Sequence, residues 1–213
     1  MQQANRARVY DVLSRWYSLL SDPSEGPLRR ECLGRLCLQP GDAVLEIGSG
    51  PGTDLPVMAA RVGSTGVVWG LDLSRGMLRV CQRSLLRDRR GSSICLIQGD
   101  GLQLPFRACA FDVVLLSFSL ELFGESEIPQ VLQEVGRVMR GEGRLGIVSL
   151  SNQHPGELAT RVYWRAHQAL PAVIDCRPIN ALAIVAANGY ELVQGVERSM
   201  WGLRVCVVVA RRR

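Results

Sequence analysis

Residues 44–52 read Val-Leu-Glu-Ile-Gly-Ser-Gly-Pro-Gly, and twenty positions past the last glycine stands Asp72, in Trp-Gly-Leu-Asp-Leu-Ser. A short apolar run feeds a turn carrying Gly48, Gly50 and Gly52, and a second apolar run ends in an acid. This is the front of a nucleotide-binding βαβ unit. The glycines let the backbone turn sharply and approach a ligand without a Cβ in the way. An acid at the tip of the second strand can accept both hydroxyls of a ribose. Dinucleotide dehydrogenases space their glycines G-x-G-x-x-G. Here the third glycine comes one position early, Thr53 holds the dehydrogenase position, and Glu46 precedes the first glycine by two. A nicotinamide dehydrogenase is therefore the disfavoured alternative.

Outward from this turn, apolar spacing predicts alternating elements. These are strand 43–47, helix 53–62, strand 67–71, helix 74–88, strands 93–98 and 111–117, helix 126–140 and strand 144–149. Such βα alternation implies a doubly wound, mostly parallel sheet with helices on both faces. Ahead of it, Val9, Val12, Leu13, Trp16, Tyr17 and Leu20 predict an amphipathic helix over 5–20, followed by a second over 25–37. Gly141 suits a cap just past helix 126–140. Beyond 150, helices 157–169 and 179–188 precede strands 190–197 and 203–209. The five residues between those strands suit a hairpin, so the seven-stranded sheet should finish with an antiparallel strand. The reading is one domain over 1–213: an N-terminal helical lid (1–40), a core (41–150), and a substrate-side insertion with the closing hairpin (151–213).

Composition narrows the chemistry. All 25 basic residues are arginines, against 20 acids, for a formal charge of +5. Without lysine there is no Schiff base, no pyridoxal phosphate attachment and no P-loop lysine. A high-GC coding bias accounts for the arginine usage. The charge favours anionic partners such as a membrane surface, but the arginines are scattered and no nucleic-acid partner is expected. The seven cysteines make no C-x-x-C and sit mostly among apolar neighbours, as reduced thiols do. His154 and His167 share no ligand spacing with them, so no metal is expected. No apolar stretch approaches the roughly 18 residues of a membrane span, and the N-terminus lacks a signal-peptide core. A cytoplasmic protein is predicted, with room for peripheral membrane contact.

Further segments fall in order. Gln98-Gly-Asp-Gly-Leu-Gln-Leu-Pro105 follows the third strand, Phe111-Asp112 opens the fourth, and Arg140-Gly-Glu-Gly-Arg-Leu145 leads into the fifth. With E-x-G-x-G-x-G at 46–52, these resemble class I S-adenosylmethionine-dependent methyltransferases, which have a Rossmann-like fold. The resemblance implies S-adenosylmethionine as cofactor. It implies a binding set of Glu46, Gly48, Ser49, Gly50, Gly52, Asp72, Leu73, Met77, Gly99, Asp100, Gly101 and Ser117, with Asp100 at the adenine amino group. Tyr10 and Tyr17, on the first helix, would close over the methionine end. Asp72 and Asp100 also suit a helix-start acid and a solvated loop acid, with Ser74 the better N-cap. Met77 also suits core packing.

Tyr10-Asp11, Leu104-Pro-Phe106 and Ser117-Phe-Ser-Leu120 are similar to the ubiquinone/menaquinone C-methyltransferase-like group. That group reads S-F-G-L-R-N after its fourth strand, whereas this chain has Glu121 where the arginine stands. Its C-terminal Gly-Gly is replaced by Trp201-Gly202-Leu203. Because the sulfonium methyl is already electrophilic, alignment is the main task and no fixed triad is expected. Glu121 and His154 are the candidate catalytic groups. The expected acceptor is a small or lipid-like molecule, a quinone precursor or other aromatic methylated at carbon or oxygen, with Trp164 shaping its pocket. An amine or aminophospholipid N-methyltransferase and a non-catalytic cofactor-binding subunit are the alternatives. Oligomeric state is not legible.

Overall fold

A computed structural model describes residues 24–88, 93–153, 165 and 176–213. Helix α1 covers 24–35. It is followed by β1 (Ala43–Ile47), α2 (Leu55–Val62), β2 (Val67–Asp72), α3 (Arg75–Asp88), β3 (Ile94–Gln98) and β4 (Phe111–Ser117). Then come α4 (Ile128–Val138), β5 (Met139–Leu150), α5 (Ala181–Ala187), β6 (Tyr190–Met200) and β7 (Leu203–Arg212). The expected helix 5–20 lies outside the described residues, and so does helix 157–169, Arg165 apart.

The seven strands form one sheet in the order β3-β2-β1-β4-β5-β7-β6. Strands β1 to β5 pair in parallel, and β7 runs antiparallel to both β5 and β6. The chain starts at β1, winds outward to β3, then crosses back to β4. The order therefore reverses between β1 and β4, and a crevice opens at their carboxyl ends.

Sheet alternation sorts the core. Val113, Leu115, Val205, Val207 and Val209 pack beneath α1, α2 and α3, while Val114, Leu116, Cys206, Val208 and Ala210 pack against α4 and α5. Strands covered on both faces read as continuous apolar runs, which is what 111–116 and 205–210 are. Helix α4 buries Ile128, Val131, Leu132, Val135 and Val138 at the spacing of its inner face, each contributing about 1.5–3 kcal/mol.

Three expectations need correction. Helix α4 stops at Val138 rather than 140, and Met139 is already extended and paired with Phe111. Its last carbonyls accept from the N–H groups of Cys109 and Ala110, so Gly141 is not needed as a cap. The hairpin loop is two residues, not five: Met200 pairs with Leu203 across Trp201-Gly202. The expected C-terminal antiparallel strand is present as β7, which inserts between β5 and β6 and leaves β6 at the edge. The predicted N-cap is met, the hydroxyl of Ser74 accepting from the N–H of Met77 (3.1 Å), and the helix expected over 179–188 is α5, Ala181–Ala187.

Candidate active site

A cleft of about 1060 Å³, counting its open mouth, lies at the carboxyl ends of β1, β2 and β4. The β1–α2 turn forms its floor. The N–H groups of Gly48 and Ser49 both donate to the Leu71 carbonyl (2.8 and 3.0 Å), and the Gly50 N–H donates to Asp72 Oδ2 (2.8 Å). Oδ1 of Asp72 accepts from the Ser74 N–H at 2.7 Å. Both carboxylate oxygens of Asp72 are thereby held by backbone donors, which fixes its orientation. Across the cleft, Ser119 Oγ donates to the Ile47 carbonyl (2.7 Å), and a Cβ on Gly48 would lie 2.6 Å from that of Ser119. Gly48 is what allows the β4 loop to close against β1.

Of the residues expected to bind cofactor, Glu46, Gly48, Ser49, Gly50, Asp72, Leu73, Met77, Gly99, Asp100, Gly101 and Ser117 line this cleft. Gly52 does not. A Cβ there would stand 2.1 Å from Cys81 Sγ, so Gly52 serves the packing of the turn on α3. Met77 lines the cleft and is also core, at 1% exposure. Asp100 is pinned through Oδ1 by the Leu102 N–H (2.9 Å). Glu121 is also displaced from expectation. It is buried in a 3₁₀ turn (Leu120–Leu122), accepts from the Leu150 N–H at 3.2 Å, and does not line the cleft. Tyr10, Tyr17, His154 and Trp164 lie outside the described residues.

The sequence reading missed the cleft's cation. Arg29 of α1, 8% exposed, reaches into the site between Glu25 and Asp54, with N···O distances of 2.9 and 3.0 Å. The Glu25/Arg29 spacing of four on a predicted helix was the available signal. Asp54 precedes α2 without capping it, because its carboxylate faces Arg29 instead. Phe118, Ser119, Leu122 and Phe123 were missed as well, and supply the wall after β4. Glu46 sits near this group. Burial, with Asp54 and Asp72 nearby, pushes its carboxyl well above the ordinary range, and Arg29 only partly opposes that shift.

Residues 44–143 match the family described as "Methyltransferase domain". Over 172 residues the chain is 31% identical to a demethylmenaquinone methyltransferase of Corynebacterium kroppenstedtii, covering 78% of this chain and 69% of that one. Over 158 residues it is 28% identical to a "2-phytyl-1,4-naphtoquinone methyltransferase" of Trichormus variabilis, covering 74% and 67%. The chain spans 62–71% of the length of the relatives so named that it matches. A solved S-adenosylmethionine-dependent methyltransferase of Aquifex aeolicus superposes with a TM-score of 0.69 at 18% identity, covering 93% of this chain and 98% of that one.

The donor set fits that cofactor. Glu46 Oε2 and Ser49 Oγ are buried without a protein partner in cleft-lining residues, and a Cβ on Gly50 would meet nothing within 4 Å. Acids suit hydroxyls and cations, and a bare glycine edge suits a nucleoside. The glycine turn, the acid-tipped second strand and the identity to a relative it largely spans agree: the chain belongs to the class I S-adenosylmethionine-dependent methyltransferases, in the group related to the menaquinone methyltransferases.

Proposed function

We propose that the chain methylates a small aromatic acceptor of the naphthoquinol type. The observation that carries this reading is the composition of the cleft. Glu46, Asp72 and Asp100 come from the β1, β2 and β3 ends, and an apolar wall of Phe118, Leu122 and Phe123 comes from the segment after β4. The relatives named for demethylmenaquinone and phytyl-naphthoquinone support the acceptor class. When bound, the cofactor supplies an electrophilic methyl on a sulfonium sulfur.

The chain's part is positioning. Asp72, already braced by Gly50 and Ser74, accepts the ribose hydroxyls. Asp100 receives the adenine amino group, with Gly99 and Gly101 allowing close approach. Ser49, Leu73, Met77 and Ser117 complete the nucleoside pocket. Phe118 and Phe123 keep water from the methyl and give the aromatic acceptor a surface to stack on. Glu121, buried and outside the cleft lining, acts through the fold of the β4 loop.

The test is incubation with methyl-labelled S-adenosylmethionine and a demethylated naphthoquinol. Label recovered in the quinone is the expected result. Label appearing instead in aminophospholipid from a cell extract would replace this acceptor.

A further inference from the structure

The β6–β7 hairpin ends in a two-residue loop, Trp201-Gly202, with φ of 51° and 81°. Such loops favour Asn-Gly, because both central residues must adopt positive φ. An L-residue with a large side chain pays for that conformation, by roughly 1–2 kcal/mol in the general case. Trp201 accepts this cost and gains no burial, since 75% of it is exposed, more than any other large apolar residue among the described ones. Its neighbours Met200 and Leu203 pack inward on the core and fix the loop's base.

The loop's position gives the strain a meaning. Strand β7 runs antiparallel to β5, and Val205 pairs with Leu150 at the carboxyl end of β5. The hairpin tip therefore projects past the edge of the sheet on which the cleft opens. Arg204 stands three residues past Trp201 and Arg198 three residues before it, the latter paired with Glu31 at 2.7 Å, on a chain of net charge +5.

We propose that Trp201 is an interfacial anchor that seats the cleft edge of this protein on a lipid bilayer with anionic headgroups. Indole prefers the boundary between headgroup and acyl chain, where its ring is apolar and its N–H stays wet. Net positive charge draws the protein to that surface. The inference rests on the acceptor reading for why a bilayer is visited: a phytyl-bearing quinol resides there. A single such side chain gives weak, reversible binding, which suits an enzyme that must release product.

The experiment is flotation of the full chain with vesicles of equimolar phosphatidylcholine and phosphatidylglycerol, for the native protein, Trp201→Phe and Trp201→Asn. Asn relieves the turn, so this variant folds. A Trp carries on the order of 150–250 Å² of surface, and withdrawing a quarter of it from water corresponds to about tenfold in partitioning. Trp201→Asn is expected to lose that tenfold and Trp201→Phe to keep most of it, while calorimetric affinity for S-adenosylhomocysteine is unchanged in both. Equal flotation of native protein and Trp201→Asn, or none by the native protein, overturns the proposal. So does a native dimer that Trp201→Asn converts to monomer without vesicles, which would make the tip a self-interface. The acceptor reading fails separately: if no naphthoquinol is methylated, tail-bearing or tail-free, the flotation result still stands alone.

Discussion

Arg29 Nε lies 3.0 Å from Asp54 Oδ2, and the pair joins α1 to the start of α2 with both side chains less than a tenth exposed. Cutting one partner of a buried pair leaves the other charge uncompensated, at about 3–5 kcal/mol. Arg29→Gln is expected to lose about 3 kcal/mol in urea unfolding. Arg29→Gln/Asp54→Asn is expected to recover part of it, because the Arg29–Glu25 ion pair is still lost. Additive losses in the double variant would count against direct coupling.

Asp72 holds the β1–α2 turn and lines the cleft at once. Asp72→Asn keeps an acceptor for one N–H but loses the charge behind both hydroxyl contacts. Hydrogen bonds to a charged group contribute about 1.5–3 kcal/mol each. The expected result is S-adenosylhomocysteine affinity weakened by at least about tenfold in calorimetry. Unfolding is expected to lose about 1–3 kcal/mol as well, since the buried Ser74 N–H and the Gly50 N–H then compete for the one oxygen that remains.

Two glycines of one motif should respond differently. At Gly52, with φ of 75°, an added Cβ meets Cys81 Sγ at 2.1 Å; at Gly50, with φ of 53°, it meets nothing. Gly52→Ala combines overpacking with backbone strain and should cost about 3 kcal/mol in stability. Gly50→Ala should cost about 1–2 kcal/mol while placing a methyl in the cleft, so its larger effect is on cofactor affinity. Equal effects on folding would contradict this division.

Glu46 sets a pH dependence. Its folded carboxyl is raised above the ordinary 4.5 by burial first, then by Asp54 and Asp72. Between its unfolded and folded values the native state binds more protons, so the stability it contributes is complete below the unfolded value and is lost as pH rises through the folded one. Unfolding free energy is expected to fall with rising pH above 4.5 by up to about 1.4 kcal/mol per unit. Glu46→Gln should flatten that slope. Binding of the cationic cofactor should favour ionised Glu46 and release a proton, visible as a buffer-dependent calorimetric enthalpy.

Strand periodicity and the glycine turn placed β1 to β4 almost to the residue, because each buried strand needs its own apolar run whatever surrounds it, whereas β5 starts at Met139 rather than 144. Boundaries moved where the partner was distant in sequence. Helix α4 ends two residues early since the segment at Cys109–Ala110 claims its last carbonyls, and nothing near residue 140 announces that. The hairpin shortened to two residues because cross-strand pairing extended through Arg198–Met200, a stretch with two polar residues and too short to carry a strand pattern.

The site divides in the same way. Glu46, Gly48, Gly50, Asp72 and Asp100 all line the cleft, because short contiguous stretches at the strand ends carry them there whatever the rest of the chain does. Glu121 looked catalytic from its place after β4, yet the 3₁₀ turn rotates it beneath the β5 end. Arg29 was not singled out on the expected helix 25–37, yet packing brings it to Asp54. Local steric and hydrogen-bonding demands are written in adjacent residues, so the cofactor was in the chain's own text. The pairing of Arg29 with Asp54, the retreat of Gly52 onto Cys81 and the projection of Trp201 at the cleft edge depend on which segments meet, and that is settled by burial of the whole core at once.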